Sequence, residues 1–181
     1  PPARAAVPEL DVIRVARAID GGQWVVARDG AYRLGRGDDC ARVDGGEALA
    51  GLQPTALLAR ADGSLLAGNR HGLYRWHEGR LESWGERLGL PEGEVRGLQQ
   101  SRDGALWIAG EQGVWRLRGS RLEGLRPGAA EGRLGGRQGA LWVAATDSTL
   151  RGYWEGRGQR GARGDGVGGV AAGAVCEGWA G

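Results

Sequence analysis

The segment Asp103-Gly104-Ala105-Leu106-Trp107-Ile108-Ala109, followed by Gly113-Val114-Trp115-Arg116, decides the reading of this chain. Asp-Gly is a hairpin signal, because the aspartate accepts backbone N–H bonds and the glycine supplies the positive φ of a tight turn. The run from Leu106 to Ala109 is apolar on both faces, so it predicts a strand covered from both sides. Gly113 turns the chain into a further strand, Val114-Trp115-Arg116-Leu117, and Gly119-Ser120 turns it again into Arg121-Leu122-Glu123. Val95-Arg96-Gly97-Leu98 supplies a strand upstream of the turn. Together these make a small four-stranded antiparallel meander.

The motif recurs along the chain. Asp20-Gly21-Gly22-Gln23-Trp24-Val25-Val26-Ala27 with Gly30-Ala31-Tyr32-Arg33 is one copy, and its first strand is Val12-Ile13-Arg14-Val15. Asp62-Gly63-Ser64-Leu65-Leu66-Ala67 with Gly72-Leu73-Tyr74-Arg75 is a second. A weaker fourth copy, Gln138-Gly139-Ala140-Leu141-Trp142-Val143-Ala144, runs on to Leu150-Arg151 with Ser148 in place of a glycine. The leading glycines lie 42, 41 and 35 residues apart, and the first three copies share a second glycine at +9, an aromatic at +11 and arginine at +12.

A unit of about 40 residues, with four short strands covered on both faces, is what a propeller blade requires. Leucine-rich repeats are shorter, and helical arrays need a helix-period pattern that glycine at this density disrupts. The expected fold is therefore all-β: a β-propeller of about four blade repeats, near 12–50, 51–90, 91–130 and 131–151, forming an incomplete ring. Residues 152–181 leave the repeat and read as a low-complexity tail rich in glycine, arginine and alanine. The Arg163-Gly164-Asp165 tripeptide within it carries little information in such a background.

Composition agrees with short strands and tight turns: 37 glycines and 8 tryptophans stand against no phenylalanine and no methionine. The 24 basic residues are all arginine, 22 acids leave a net charge of only +2, and no basic stripe forms, which argues against a nucleic-acid partner. Cys40 and Cys176 lack the spacing of a zinc site, and the sequence does not decide whether they pair. No eighteen-residue apolar run occurs, so no membrane insertion is expected within this segment. The opening Pro1-Pro2-Ala3-Arg4 reads as the start of a mature or excised segment.

The stretch from Gly89-Leu90-Pro91 through Val95, Asp103-Gly104-Ala105-Leu106-Trp107 and Gly113-Val114-Trp115-Arg116 resembles the two-component-regulator propeller repeat. The resemblance covers residues 12–151 through the four copies and is clearest in the third. Proteins with this repeat carry seven-bladed propellers outside the inner membrane, ahead of a histidine kinase or diguanylate cyclase module. The resemblance thus implies a periplasmic input domain that senses a small molecule, a glycan or a protein partner, and that is not itself an enzyme. Four copies are fewer than such a ring, which implies an open arc or a piece of a longer chain.

Motifs for chemistry are missing from the sequence. No Gly-Lys-Ser/Thr exists in a chain without lysine, and no Gly-x-Ser-x-Gly elbow occurs. His71 and His77, near Trp76 and Glu78, have no third ligand at metal spacing, and Asp20, Asp62 and Asp103 recur as turn residues would. No catalytic, metal or cofactor-binding residue is therefore expected, and no cofactor. The aromatics in register, Trp24, Trp107, Trp142, Tyr32, Tyr74 and Trp115, are expected between blades, whereas Trp76, Trp84 and Trp154 fall off that register and become candidates for ligand or partner contact. A ligand is expected at the loop-lined face or the central channel. Two alternatives stay open. A propeller-scaffold lyase or glycan-active hydrolase needs a clustered acid, base or metal near the axis, and an interaction scaffold needs an exposed aromatic patch around Trp76 and Trp84.

Overall fold

A computed structural model describes residues 10–35, 39–101, 103–127, 130–135, 140–145, 150–154 and 157–160, with side chains described through residue 124. They form four sheets, each a four-stranded antiparallel meander. The first contains β1 (Val12–Arg17), β2 (Gln23–Ala27), β3 (Gly30–Leu34) and β4 (Cys40–Val43). The second contains β5 (Ala56–Ala59), β6 (Leu65–Asn69), β7 (Gly72–His77) and β8 (Arg80–Ser83). The third runs β9 (Val95–Gln100), β10 (Leu106–Gly110), β11 (Gly113–Arg118) and β12 (Arg121–Pro127). The fourth runs β13 (Ala130–Gly135), β14 (Ala140–Ala145), β15 (Leu150–Trp154) and β16 (Arg157–Arg160). Successive sheets meet through their first strands, β1 on β5, β5 on β9 and β9 on β13, so the first strands line the inside of a fan. The chain is an all-β propeller arc of four blades that does not close into a ring.

The turn between the first and second strands has one geometry in three blades. Gly21, Gly63 and Gly104 adopt φ of 87°, 79° and 80°, which only glycine takes without strain. Their N–H groups donate to Ala18, Arg60 and Ser101 carbonyls at 3.0–3.1 Å. Asp20, Asp62 and Asp103 accept from the N–H groups of Gly22, Ser64 and Ala105 at 3.0, 3.0 and 3.2 Å. An arginine on the third strand grips each aspartate: Arg33, Arg75 and Arg118 respectively.

The recurring aspartates thus close hairpins, and their acidity records it. The Ser101 hydroxyl, opposed by desolvation and helped by the Ala105 N–H and Arg118, holds Asp103 at about 2 against an ordinary 3.8. Desolvation pushes Asp62 up, but bonds from the Ser64 hydroxyl and amide and the charges of Arg60 and Arg75 outweigh it, again giving about 2. Carboxylates depressed by folding contribute stability that is complete above their unfolded pKa and is lost as pH falls through the folded one. Acid titration followed by circular dichroism is therefore expected to show stability falling between about pH 4 and pH 2. Asp62→Asn and Asp103→Asn should each flatten that fall, and an unchanged slope in both would refute the assignment.

Each blade offers one face to each neighbour. Trp24 and Val26 on the first blade meet Leu65, Ala67 and Trp76 on the second, and the opposite face of the second, with Leu66 and Leu73, meets Leu106, Ile108 and Leu117 on the third. Two short helices pack on these seams: α1 (Glu47–Leu52), which buries Leu49 and Ala50, on the first, and α2 (Trp84–Leu88), with Trp84 and Leu88, on the second. The repeat reading contained no helices. Six and five residues are too few to show a helical period, and packing of their apolar side chains forms them.

The expected end of the propeller at residue 151 falls inside β15. Strands β15 and β16 complete the fourth sheet as far as Arg160, because pairing with β14 is carried by backbone groups and needs no motif. Ser148, the Arg163-Gly164-Asp165 tripeptide and the tail from residue 161 lie outside the described residues.

Candidate functional site

The three tryptophans expected to make contacts have different surroundings. Trp76 is only 4% exposed, which corrects its reading as a surface residue. It stands opposite Leu65 on β6 and Leu81 on β8, meets Trp24 edge-on at 5.8 Å between ring centroids, and donates its indole N–H to the Gly45 carbonyl at 3.2 Å. The reason lies one place beyond the recurring arginine, where Leu34, Trp76 and Leu117 are all apolar and turn toward the preceding side of the fan. The apolar character of that position in all three copies is the sequence signal that marks Trp76 as core. Trp84 is half-buried in the second seam, with the Arg60 guanidinium over its ring at 5.3 Å. Trp154 lies on β15, and its side chain is outside the described residues.

The register aromatics divide as well. Trp107 and Tyr32 are buried, at 3% and 7% exposure, while Trp24, Tyr74 and Trp115 are half-buried. The aromatic patch around Trp76 and Trp84 that an interaction scaffold calls for is not formed, since one ring is in the core and the other is covered by Arg60.

A cleft of about 700 Å³ opens on the face where the β6–β7 turn, the α2 connection and the β10–β11 turn meet. Each wall has a local cause. Asn69, 4% exposed, donates to the Leu52 carbonyl at 3.1 Å and accepts from the N–H groups of His71 and Gly72 at 2.8 and 3.1 Å, which fixes the turn bearing Arg70 and His71. Gly89 ends α2 at φ 73°, and the Leu90 N–H closes back onto the Gly85 carbonyl at 2.9 Å, so the chain leaves toward Pro91 and Glu92. The Glu111 N–H donates to the Glu94 carbonyl at 2.9 Å, which ties the turn of the third blade to that connection.

Half-buried Tyr74 lines this cleft, together with exposed Arg70, His71, Glu86, Glu92 and Glu111. Three carboxylates face one guanidinium, and none of these four side chains forms an ion pair with a described residue. By contrast, the acids of the turns, Asp20, Asp62 and Asp103, are all gripped by arginine. Among the described residues no group of three His, Cys, Asp or Glu side chains is arranged to hold a metal ion. His71 lines the cleft and His77 does not, so the two histidines are not brought together. Cys40 is a half-buried free thiol on β4, and Cys176 lies outside the described residues. Among the described residues no helix is long and apolar enough to cross a membrane.

Fold and cleft together define a repeat-built propeller with a polar, loop-lined recess. No family model matches the chain, and no curated protein sequence matches it. Among solved structures it is similar to an extracellular domain assigned to a hybrid two-component system of B. thetaiotaomicron, with a TM-score of 0.54 and 15% identity over 84% of this chain and 28% of that one. It is similar to a virginiamycin B lyase from Staphylococcus aureus solved with quinupristin, with a TM-score of 0.56 and 12% identity over 75% of this chain and 49% of the lyase. It is also similar to YCF48 bound to D1 peptide, with a TM-score of 0.54 and 15% identity over 78% of this chain and 50% of that one. The chain thus spans a half or less of the length of these propellers. At such identity the likeness is one of fold.

Proposed function

We propose that this chain is a ligand- or partner-sensing propeller region of a bacterial signal-transduction protein, placed on the periplasmic side of the inner membrane and acting on a kinase or cyclase module without chemistry of its own. The observation that carries the reading is a division of charge. Acids that recur by register are engaged in hairpin turns, whereas Glu86, Glu92 and Glu111, which form no ion pair with a described residue, line one recess between blades. Such a recess suits a small polar molecule bearing amino or hydroxyl groups, held by Glu86, Glu92 and Glu111 over Tyr74. The repeat resemblance and the likeness to an extracellular two-component domain favour sensing over catalysis. Trp84 sits between two residues of the cleft wall, Ser83 and Gly85, and is the member of the expected trio placed to report on an occupant.

The test is a thermal-denaturation screen of the whole chain against polyamines and neutral oligosaccharides. A ligand at about a hundred times its Kd adds about 2.7 kcal/mol, enough to raise Tm by about 5 °C or more. Glu111→Gln with Glu86→Gln should abolish that rise without lowering the Tm of the free protein. If no compound of either class stabilises the chain, the recess is not a receptor. Turnover of quinupristin by the chain would replace the sensor reading with a lyase.

A further inference from the structure

Position by position, the cleft of the second blade repeats a place that is already filled in the first. Gly30 and Gly72 open the third strands at φ 154° and 152°, and Tyr32 and Tyr74 follow two residues later. Arg42 and Ser83 stand directly opposite those tyrosines on the fourth strands. Gly46 and Gly85 correspond as well: a β-carbon on Gly46 would sit 2.6 Å from Ala31 and one on Gly85 3.3 Å from Leu73, each the residue after the opening glycine. An acid in the first turn of the helix follows each, Glu47 in α1 and Glu86 in α2.

In the first blade a guanidinium occupies this place. Arg42 donates through Nη2 to the Asp29 carbonyl at 2.7 Å and to the Glu47 carboxylate at 3.0 Å. It lies against Gly30, where a β-carbon would come 3.3 Å from its Nε. Tyr32 closes the arrangement by donating its hydroxyl to the Asp29 carboxylate at 2.6 Å. The second blade keeps this frame and lacks the arginine. Ser83 stands for Arg42, His71 stands for Asp29, and a β-carbon on Gly72 would meet nothing within 4 Å. Gly72, Tyr74, Ser83, Gly85 and Glu86 all line the cleft, which is thus the seat of a side chain that this copy does not carry.

We infer that the cleft takes an alkylguanidinium, a small molecule that presents between Gly72 and Glu86 the group that Arg42 presents between Gly30 and Glu47. The inference rests on the reading of the recess as a receptor and narrows its ligand to one chemical class. A guanidinium is planar and carries its N–H donors in a fixed fork, so it can meet a backbone carbonyl of the turn and the Glu86 carboxylate together, as Arg42 meets their counterparts. An ammonium has no such fork. Arg42 is tethered to its place by the chain, whereas a free molecule needs further contacts, and Glu92 and Glu111 add two carboxylates. The three acids outnumber Arg70, the counterpart of Arg28, and leave a negative surplus for a cation.

Isothermal titration calorimetry of the whole chain compares 4-aminobutylguanidine with 1,6-diaminohexane, a dication of similar length without the guanidinium. The guanidine is expected to bind at one site per chain and about tenfold more tightly, the effect of one added charge-assisted hydrogen bond. Ser83→Arg gives the second blade the residue of the first, and its side chain should fill the cleft and abolish binding with Tm unchanged. Ser83 is exposed and its side chain makes no capping bond to α2, so the exchange removes no contact of the helix. Glu86→Gln should weaken binding about tenfold, and it carries the test if Ser83→Arg does not fold. Equal affinity for the two compounds overturns the proposal and leaves the receptor reading standing, as does stabilisation by another polyamine or an oligosaccharide with no binding of the guanidine. Guanidine binding that survives both variants overturns it too, and binding by no compound at all removes receptor and ligand together.

Discussion

Replacement of Trp76 by alanine is expected to destabilise the chain by about 3–5 kcal/mol, the usual cost of emptying a buried tryptophan site. The ring fills the seam between the first two blades, and its N–H donates to the Gly45 carbonyl, so truncation leaves a cavity and strips that carbonyl of the shorter of its two hydrogen bonds, the Ala48 N–H remaining at 3.4 Å. Trp76→Phe should recover most of the packing and lose only the hydrogen bond and part of the volume. Urea denaturation of the three proteins measures the difference. A surface contact residue would change stability by no more than about 0.5 kcal/mol, and that outcome would return Trp76 to the exterior.

Gly110→Ala is expected to cost about 3 kcal/mol or more, at the upper end of the overpacking range. A β-carbon there would sit 2.2 Å from the Glu94 carbonyl oxygen. The obstacle is backbone and cannot swing aside, and the same carbonyl accepts the Glu111 N–H that ties the third blade to the α2 connection. The register between β9 and β10 shifts at this point, which is how the two chains come so close. Gly51→Ala is the matched control: it lies exposed within α1 with nothing near its β-carbon, and should gain up to about 1 kcal/mol from helix propensity. Comparable losses from both substitutions would show that the close approach does not exist in solution.

The architecture was legible because its signals are local. An aspartate, a glycine with positive φ and a two-sided apolar strand fall within eight residues of one another, and their repetition announces blades before any contact is known. The core role of Trp76 is hidden at the aromatic and arginine positions, because the next place along, held by Leu34, Trp76 and Leu117, bears the inward side chain. The end of the fourth blade was unreadable for another reason: β15 and β16 are held by ladder bonds that any sequence can make. The cleft was the least visible feature. Its lining comes from Arg70, Glu86, Glu92 and Glu111, on three connections with no common motif, and only the fan of the sheets brings them together.

A chain that writes nearly one motif four times risks mispairing, since a strand from one copy can align with its counterpart in another. The aspartate-capped turn removes that hazard, because it settles the alignment of the first two strands from within ten residues, before distant segments meet. Similar neighbours can then collapse onto one another as finished hairpins, and their likeness ceases to be a source of error.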